Sequence, residues 1–253
     1  MVNKVRSLIC RTGRKKSLAP VITKSAPKSF NKYVESFVGT GDIYFALNLD
    51  HNVKAYLNDI DPVITNFHKL VKTNPSGNPE QFRDYSLEQE RRLDKKSNPT
   101  AYQKIAQTIF RTCGSYGGKG MGKLYKNPDI IPKMKNIPKV AEYMKNTTIT
   151  KGDWKKTFKY DSPTTFFYLD PPYEASRGLY KQPDIDYVDL AERMRKLKGK
   201  VMLSINKSPE IKKLFKGFRI KTVLLKWKGG ATQIGKDNRE EYINKTRDFI
   251  LRN

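Results

Sequence analysis

The chain has 253 residues, and 50 Lys and Arg against 25 Asp and Glu give it a formal charge of +25. That length suits one large α/β domain, or one with a modest insertion, and 37% hydrophobic residues can build a core, which excludes a wholly disordered chain. No apolar run approaches the roughly 18–20 residues that span a bilayer, no secretory signal follows Met1, and two cysteines with two histidines argue against a zinc cluster.

Residues 1–34 carry nine bases and no acid. Residues 1–8 suit a disordered basic arm as well as a structured segment, and Pro20 and Pro27 break any long helix after it. Tyr33 to Val38 is rich in β-formers and runs into Gly39-Thr40-Gly41, a strand entering a tight turn. Ile43 to Leu49 suits a short helix, and Val53 to Leu57 a second strand ending at Asn58-Asp59. A helix follows from Pro62, with Val63, Phe67 and Leu70 at helical spacing. This β-α-β-α order begins a parallel sheet.

The pattern is less regular from Asn74 to Lys151. Glu80 to Lys96 mixes five acids with five bases, as a solvated helix does. Asn98-Pro99 reads as a cap and first helical residue before one apolar face of Ala101, Tyr102, Ile105, Ala106, Ile109 and Phe110. A Gly-rich basic loop from Gly114 to Lys123 ends that helix, and residues 123–160 hold ten lysines against three acids. Thr165 to Asp170 is a continuous apolar run suited to a buried central strand. Tyr187 to Lys198 is predicted helical, with Val188, Leu190, Ala191, Met194 and Leu197 as its core side. Lys200 to Asn206 is a strand and Pro209 to Phe215 a short helix. Phe218 to Lys228 and Arg247 to Leu251 make a late antiparallel pair, with a mobile loop around Gly229-Gly230 between them.

The charge asks for a polyanion, nucleic acid before an anionic membrane surface. Cys10 and Cys113 are expected as free thiols in a reducing, intracellular compartment such as cytoplasm or nucleus. No metal and no membrane partner is expected.

Two turns carry chemistry. In Phe37-Val38-Gly39-Thr40-Gly41-Asp42, glycines let the backbone turn sharply and approach a ligand. Asp59 lies 18 residues after Gly41, at the end of the next strand, where dinucleotide folds keep an acid for ribose hydroxyls. Tyr44 stands where a nicotinamide-type fingerprint needs its third glycine. The motif therefore suits either an ordinary glycine turn or a nucleoside without pyrophosphate, such as S-adenosylmethionine. The second turn is Asp170-Pro171-Pro172-Tyr173, at the carboxyl end of the apolar strand, where open α/β sheets bind ligands. Asp170 and the Pro171 carbonyl can each accept a hydrogen bond from an amino group, and Tyr173 offers a face on which a base stacks. Holding both hydrogens of an aryl amine draws its nitrogen toward sp³ and frees the lone pair for a sulfonium methyl. Orientation then supplies much of the rate.

These residues resemble the amino-group methyltransferases of nucleic acids, and most closely the Dam-type DNA adenine-N6 methyltransferases, in the same order over almost the whole chain. Gly13-Arg14-Lys15 resembles the family's Gly-Gly-Lys element at the methionine end of the cofactor, with Arg14 in place of its second glycine. Glu35-Ser36-Phe37-Val38-Gly39-Thr40-Gly41 resembles Glu-Pro-Phe-x-Gly-x-Gly, with Ser36 for proline. Leu57-Asn58-Asp59-Ile60-Asp61 matches the Asp-Ile-Asn stretch, which implies Asp59 on the ribose and Ile60 against the adenine. Gly152-Asp153-Trp154 resembles the small acidic-aromatic element beside the cofactor's adenine, and Asp170-Pro171-Pro172-Tyr173 is the catalytic motif unchanged.

The resemblance implies a Rossmann-like class I methyltransferase sheet, mostly parallel with one antiparallel strand. It implies a catalytic and cofactor-binding domain at 1–73 plus 147–253, and a mainly helical target-recognition insertion at 74–146. It implies S-adenosylmethionine as cofactor and double-stranded DNA as substrate, with the adenine flipped out of the stack. Tyr116, Lys119, Lys123 and Lys228 are the expected DNA contacts. Restriction-modification, replication marking and viral self-modification are all compatible with it. RNA adenine methylation, or a non-catalytic nucleic-acid binder on the same scaffold, are the competing functions. Asp170 argues against protein-glutamine methylation, whose motif usually begins with Asn.

Overall fold

The computed structural model describes residues 5–95, 98–118, 120, 123–172, 185–206, 208–226 and 245–252. From Val5 onward the described chain lies in the core: Val5, Leu8 and Ile9 are buried, because three apolar side chains among the bases find a shared core. Helix α1 (Ala19–Ser25) has Pro20 in its first turn, where the missing N–H costs nothing, and stops before Pro27. Strand β1 (Lys32–Glu35) leads through the glycine turn into α2 (Asp42–Leu47), and β2 (Lys54–Asp59) into α3 (Pro62–Thr73). Asp61 caps α3, its carboxylate accepting from Val63 N–H at 2.9 Å. The buried side of α3 is Ile64, Phe67, His68 and Val71, whereas Val63 is half exposed.

The expected helix over Glu80–Lys96 divides into a 3₁₀ turn (Pro79–Phe82) and α4 (Leu87–Asp94), which Ser86 and Gln89 start with a capping box. Helix α5 (Ala101–Gly114) is capped by Thr100 with Gln103, not by Asn98, because the Thr100 side chain sits three residues before a glutamine that reaches back. Its Ile105, Ala106, Ile109 and Phe110 are wholly buried, at roughly 1.5–3 kcal/mol for each large side chain. Short helices α6 (Ile131–Met134) and α7 (Ile137–Tyr143) follow, then strand β3 (Thr147–Lys151). The remaining elements are β4 (Thr165–Leu169), α8 (Tyr187–Lys196), β5 (Lys200–Asn206), α9 (Pro209–Leu214), β6 (Arg219–Lys226) and β7 (Lys245–Arg252). The inner side of α8 is Leu190, Ala191 and Met194, and Val188 is exposed instead.

The sheet order is β3-β2-β1-β4-β5-β7-β6. Strands β1 to β5 pair in parallel, and β7 runs against both β5 and β6, so among the described residues it is the one reversed strand. The expected α/β class and the single antiparallel strand are borne out. Every residue of β4 is buried, as its central place requires. One face of the sheet (Tyr33, Ala55, Phe166, Tyr168, Met202) shares a core with α1–α3, α5 and α7. The other (Val34, Phe167, Leu169, Leu203, Ile205) packs on α8, α9 and Trp154. Residues 101–144 thus bury their apolar side in the sheet's own core. The loop around Gly229-Gly230 lies outside the described residues.

Cys10 and Cys113 are joined as a disulfide, their Cα atoms 5.0 Å apart, which corrects the expectation of free thiols. Two cysteines are too few for a framework but enough for one bridge. Packing of the N-terminal segment along the end of α5 brings them together, where Cys10 N–H meets the Thr112 hydroxyl at 3.4 Å. Among the described residues no helix is long and apolar enough to cross a membrane, and no group of three or more His, Cys, Asp or Glu could hold a metal.

Candidate active site

The turn after β1 is built by backbone that only glycine adopts freely. Gly39 and Gly41 have φ of 47° and 73°. Gly39 N–H donates to Asp59 Oδ2 at 2.8 Å, and Asp61 N–H to Asp59 Oδ1 at 2.9 Å, so the acid at the end of β2 is fixed at both oxygens. Burial raises the Asp59 pKa, while these two N–H donors and Arg11 oppose the rise. A Cβ at Gly39 would meet no atom within 4 Å. The turn therefore faces open space beside a positioned carboxylate, which fits a ribose-bearing ligand.

His68 was not singled out from sequence, yet it holds this turn. Its Nε2 lies 2.9 Å from the Gly39 carbonyl, which can only accept, so Nε2 carries the proton. Burial lowers its pKa and keeps the ring neutral. Gly152 N–H donates to the Asp59 carbonyl at 3.0 Å, which brings Gly152-Asp153-Trp154 beside Asp59-Ile60. Ile60 is 38% exposed there. Asp153 caps the following 3₁₀ turn (Trp154–Tyr160) through Lys155 N–H at 2.9 Å. The Trp154 ring stands 6.1 Å from Phe37.

Asp170 follows β4 directly. Lys15 Nζ lies 2.9 Å from its Oδ1, and Ser204 Oγ on β5 donates to the same oxygen at 2.8 Å. Burial raises the Asp170 pKa, and Lys15 first, then Ser204, pull it back. Pro171 is buried, and the Pro172 carbonyl accepts from Tyr187 OH at 2.5 Å. One strand over, buried Glu35 accepts from Tyr33 OH at 2.7 Å. Burial, with Asp170 and Asp42 nearby, raises its pKa well above the ordinary value. Tyr173 lies outside the described residues.

The Gly13-Arg14-Lys15 segment runs into this site. Gly13 has φ of 82°, and its carbonyl accepts from Lys15 Nζ at 3.2 Å. Arg14 forms a two-pronged pair with Asp42, at 2.6 and 3.0 Å. The partner is legible only in the fold, since 28 residues separate Arg14 from Asp42. Lys133 on α6 donates to the Leu8 carbonyl at 2.7 Å. Burial and the Arg14 charge lower its pKa to about 8.

The Gly-rich loop after α5 is tied to the same segment. Thr12 N–H donates to the Gly117 carbonyl at 2.6 Å, and a Cβ at Gly118 would come within 2.5 Å of the Arg11 Cα. Ser115 and Leu124 form an isolated antiparallel bridge. Tyr116 on it is 67% exposed, and its ring lies 6.4 Å from that of the equally exposed Tyr125, which the sequence had not singled out. Lys123 is exposed, with Nζ 5.9 Å from the Tyr125 ring. Lys119 and Lys228 lie outside the described residues.

A sheet with one reversed strand, a glycine turn against an acid, and Asp-Pro-Pro ending the central strand define a class I methyltransferase. The model of the D12 class N6 adenine-specific DNA methyltransferases matches residues 12–112 and 106–227, and the chain belongs to that family. Its cofactor is accordingly S-adenosylmethionine. The chain is 28% identical over 265 residues to a type II methyltransferase from Lactococcus lactis subsp. cremoris, covering 92% of each. It is 23% identical over 252 residues to a DNA adenine methylase from Vibrio cholerae, covering 88% of this chain and 89% of that one. Among solved structures, TrmN from Thermus thermophilus matches at TM-score 0.45 and 13% identity, over 93% of this chain and 48% of that one.

Proposed function

We propose that this protein methylates the exocyclic N6 of adenine in double-stranded DNA, after flipping the base into a pocket at the carboxyl ends of β1 and β4. The observation that carries the reading is Asp170, partly buried at the end of the central strand with its carboxylate held by Lys15 and Ser204. Gly39, Gly41, Asp59, Ile60, Asp153 and Trp154 would border the cofactor's nucleoside. Gly13, Arg14, Lys15, Glu35, Phe37 and Asp170 would border its methionine end and the target. The bound cofactor supplies an electrophilic sulfonium methyl.

Asp170 and the Pro171 carbonyl take one amino hydrogen each, which orients the N6 lone pair in line with that methyl. Gly13, Lys15 and Glu35 would hold the cofactor's methionine end while N6 takes the methyl, so that a neutral thioether leaves and the positive charge is then on nitrogen. The surplus proton then leaves N6 toward Asp170 or water, so no strong base is needed. Tyr173 stacks on the flipped base. Residues 74–146 act as the target-recognition region and the rest as the catalytic domain. Tyr116, Lys119, Lys123 and Lys228 touch the duplex. If five to eight bases meet phosphates, log K falls with log[salt] at a slope of roughly −5 to −7. A DNA substrate places the work inside a cell.

The test is transfer of a labelled methyl group to unmethylated duplex DNA, followed by sequencing with detection of modified adenine. Asp170→Ala is expected to abolish transfer while cofactor binding, measured by calorimetry, persists. Label in RNA but not DNA, or full activity in Asp170→Ala, overturns the proposal.

A further inference from the structure

Asp170 stands at the end of a hydrogen-bonded row that sequence motifs do not mention. Register places it opposite Ser204, one step beyond the Leu169–Leu203 pair. Tyr168 OH lies 2.9 Å from Ser204 Oγ, and Ser204 Oγ lies 2.8 Å from Asp170 Oδ1. A serine hydroxyl has one proton. The carboxylate takes it, so the tyrosine must donate to the serine. Tyr168 and Ser204 are both wholly buried, so no water replaces either bond. Ser204 lies on the sheet face it shares with Met202, a position where an apolar residue would serve packing alone.

We infer that Ser204, backed by Tyr168, is a positioning residue for the methyl transfer: with Lys15 it anchors Oδ1 and turns Oδ2 of Asp170 toward the amino group. The inference rests on the proposed adenine methylation. Both described bonds end on Oδ1, so one carboxylate oxygen is fixed by the protein and the other faces the substrate. A carboxylate anchored at one oxygen cannot rotate about its last bond, and a rotation of that kind would misalign the lone pair it orients. The three residues pass a fixed hydrogen-bond direction from the strand interior to the reacting edge, in a site where buried charged hydrogen bonds are strong.

The experiment is single-turnover methyl transfer on duplex DNA for wild type, Ser204→Ala and Tyr168→Phe, across pH, with cofactor affinity by calorimetry. Ser204→Ala is expected to slow transfer about 10- to 100-fold, the usual worth of a hydrogen bond to a charged group. Its acid limb should move to higher pH, since the carboxylate loses a donor that favours its charged form. Cofactor affinity should stay within about twofold. Tyr168→Phe should move both readouts the same way by less, and it decides the matter if Ser204→Ala does not fold. A wild-type rate and pH profile in folded Ser204→Ala, or equal losses of rate and cofactor affinity, overturns the inference alone. An inactive wild type overturns the functional reading beneath it, and the inference with it.

Discussion

Replacing Asn58 with alanine removes three hydrogen bonds with one substitution. Its Nδ2 donates to the Ser36 carbonyl at 3.1 Å and to the Gly152 carbonyl at 2.9 Å, and its Oδ1 accepts from the Thr150 hydroxyl at 2.9 Å. The side chain is only 3% exposed, so one amide joins the turn after β1 to the end of β3. At a net ~1 kcal/mol for each bond the loss is about 3 kcal/mol, and the buried Ser36 carbonyl left without its donor pushes it upward. For a chain of this size that lowers Tm by roughly 6–12 °C. Guanidinium unfolding should give a lower midpoint with the same slope, because the surface exposed on unfolding barely changes. Asn58→Asp should be at least as damaging, since it keeps the shape but aims a buried charge at two carbonyls. Stability of Asn58→Ala within about 0.5 kcal/mol of wild type, the range of ordinary surface substitutions, would refute this account of how the turn after β1 is held to β3.

The Cys10–Cys113 bond closes a loop with a sequence separation of 103, and reducing it should cost roughly 2–4 kcal/mol of stability. Cys113→Ser should match reduced wild type in thermal unfolding, and complete iodoacetamide labelling of both cysteines in folded, unreduced protein would rule the bond out. His68 predicts a pH dependence. Burial holds its folded pKa below the ordinary 6.5, so below pH 6.5 the unfolded chain gains a proton that the folded chain refuses. Stability therefore falls as pH drops from 6.5 toward the depressed folded value. Denaturation of His68→Gln over the same range should lack that part of the slope, and an identical slope in both proteins would assign it elsewhere.

The parts of the fold that were legible are those with a strong hydrophobic period. Strand β5 runs over Lys200–Asn206, as the five apolar and small residues Val201 to Ile205 suggest, and β4 was plain as an unbroken apolar run. Strand β3 was missed because Thr147–Lys151 holds a single apolar residue, Ile149, and an edge strand needs no more. Asp59 and Asp170 stood out since an acid ending an apolar strand is conspicuous in one dimension. Asn58 and Ser204 did not. A polar residue inside a strand declares a need for a partner without naming it, and their partners lie 92 and 34 residues away.

The same limit governs charge. An excess of 25 positive charges looks like a grip on nucleic acid throughout. In the fold, however, Arg11 pairs with Asp61 at 2.8 Å, Arg14 with Asp42 and Lys15 with Asp170, so three of the nine N-terminal bases face acids inside the protein. They fix the start of α3, the start of α2 and the Asp170 carboxylate. These contacts tie the basic N-terminal segment to the carboxyl ends of β2 and β4, while its Thr12–Gly117 bond and the disulfide tie it to the end of α5 and the turn after it. A cation there serves the geometry of the site before it serves any phosphate, and its removal should change catalysis more than the salt dependence of DNA binding.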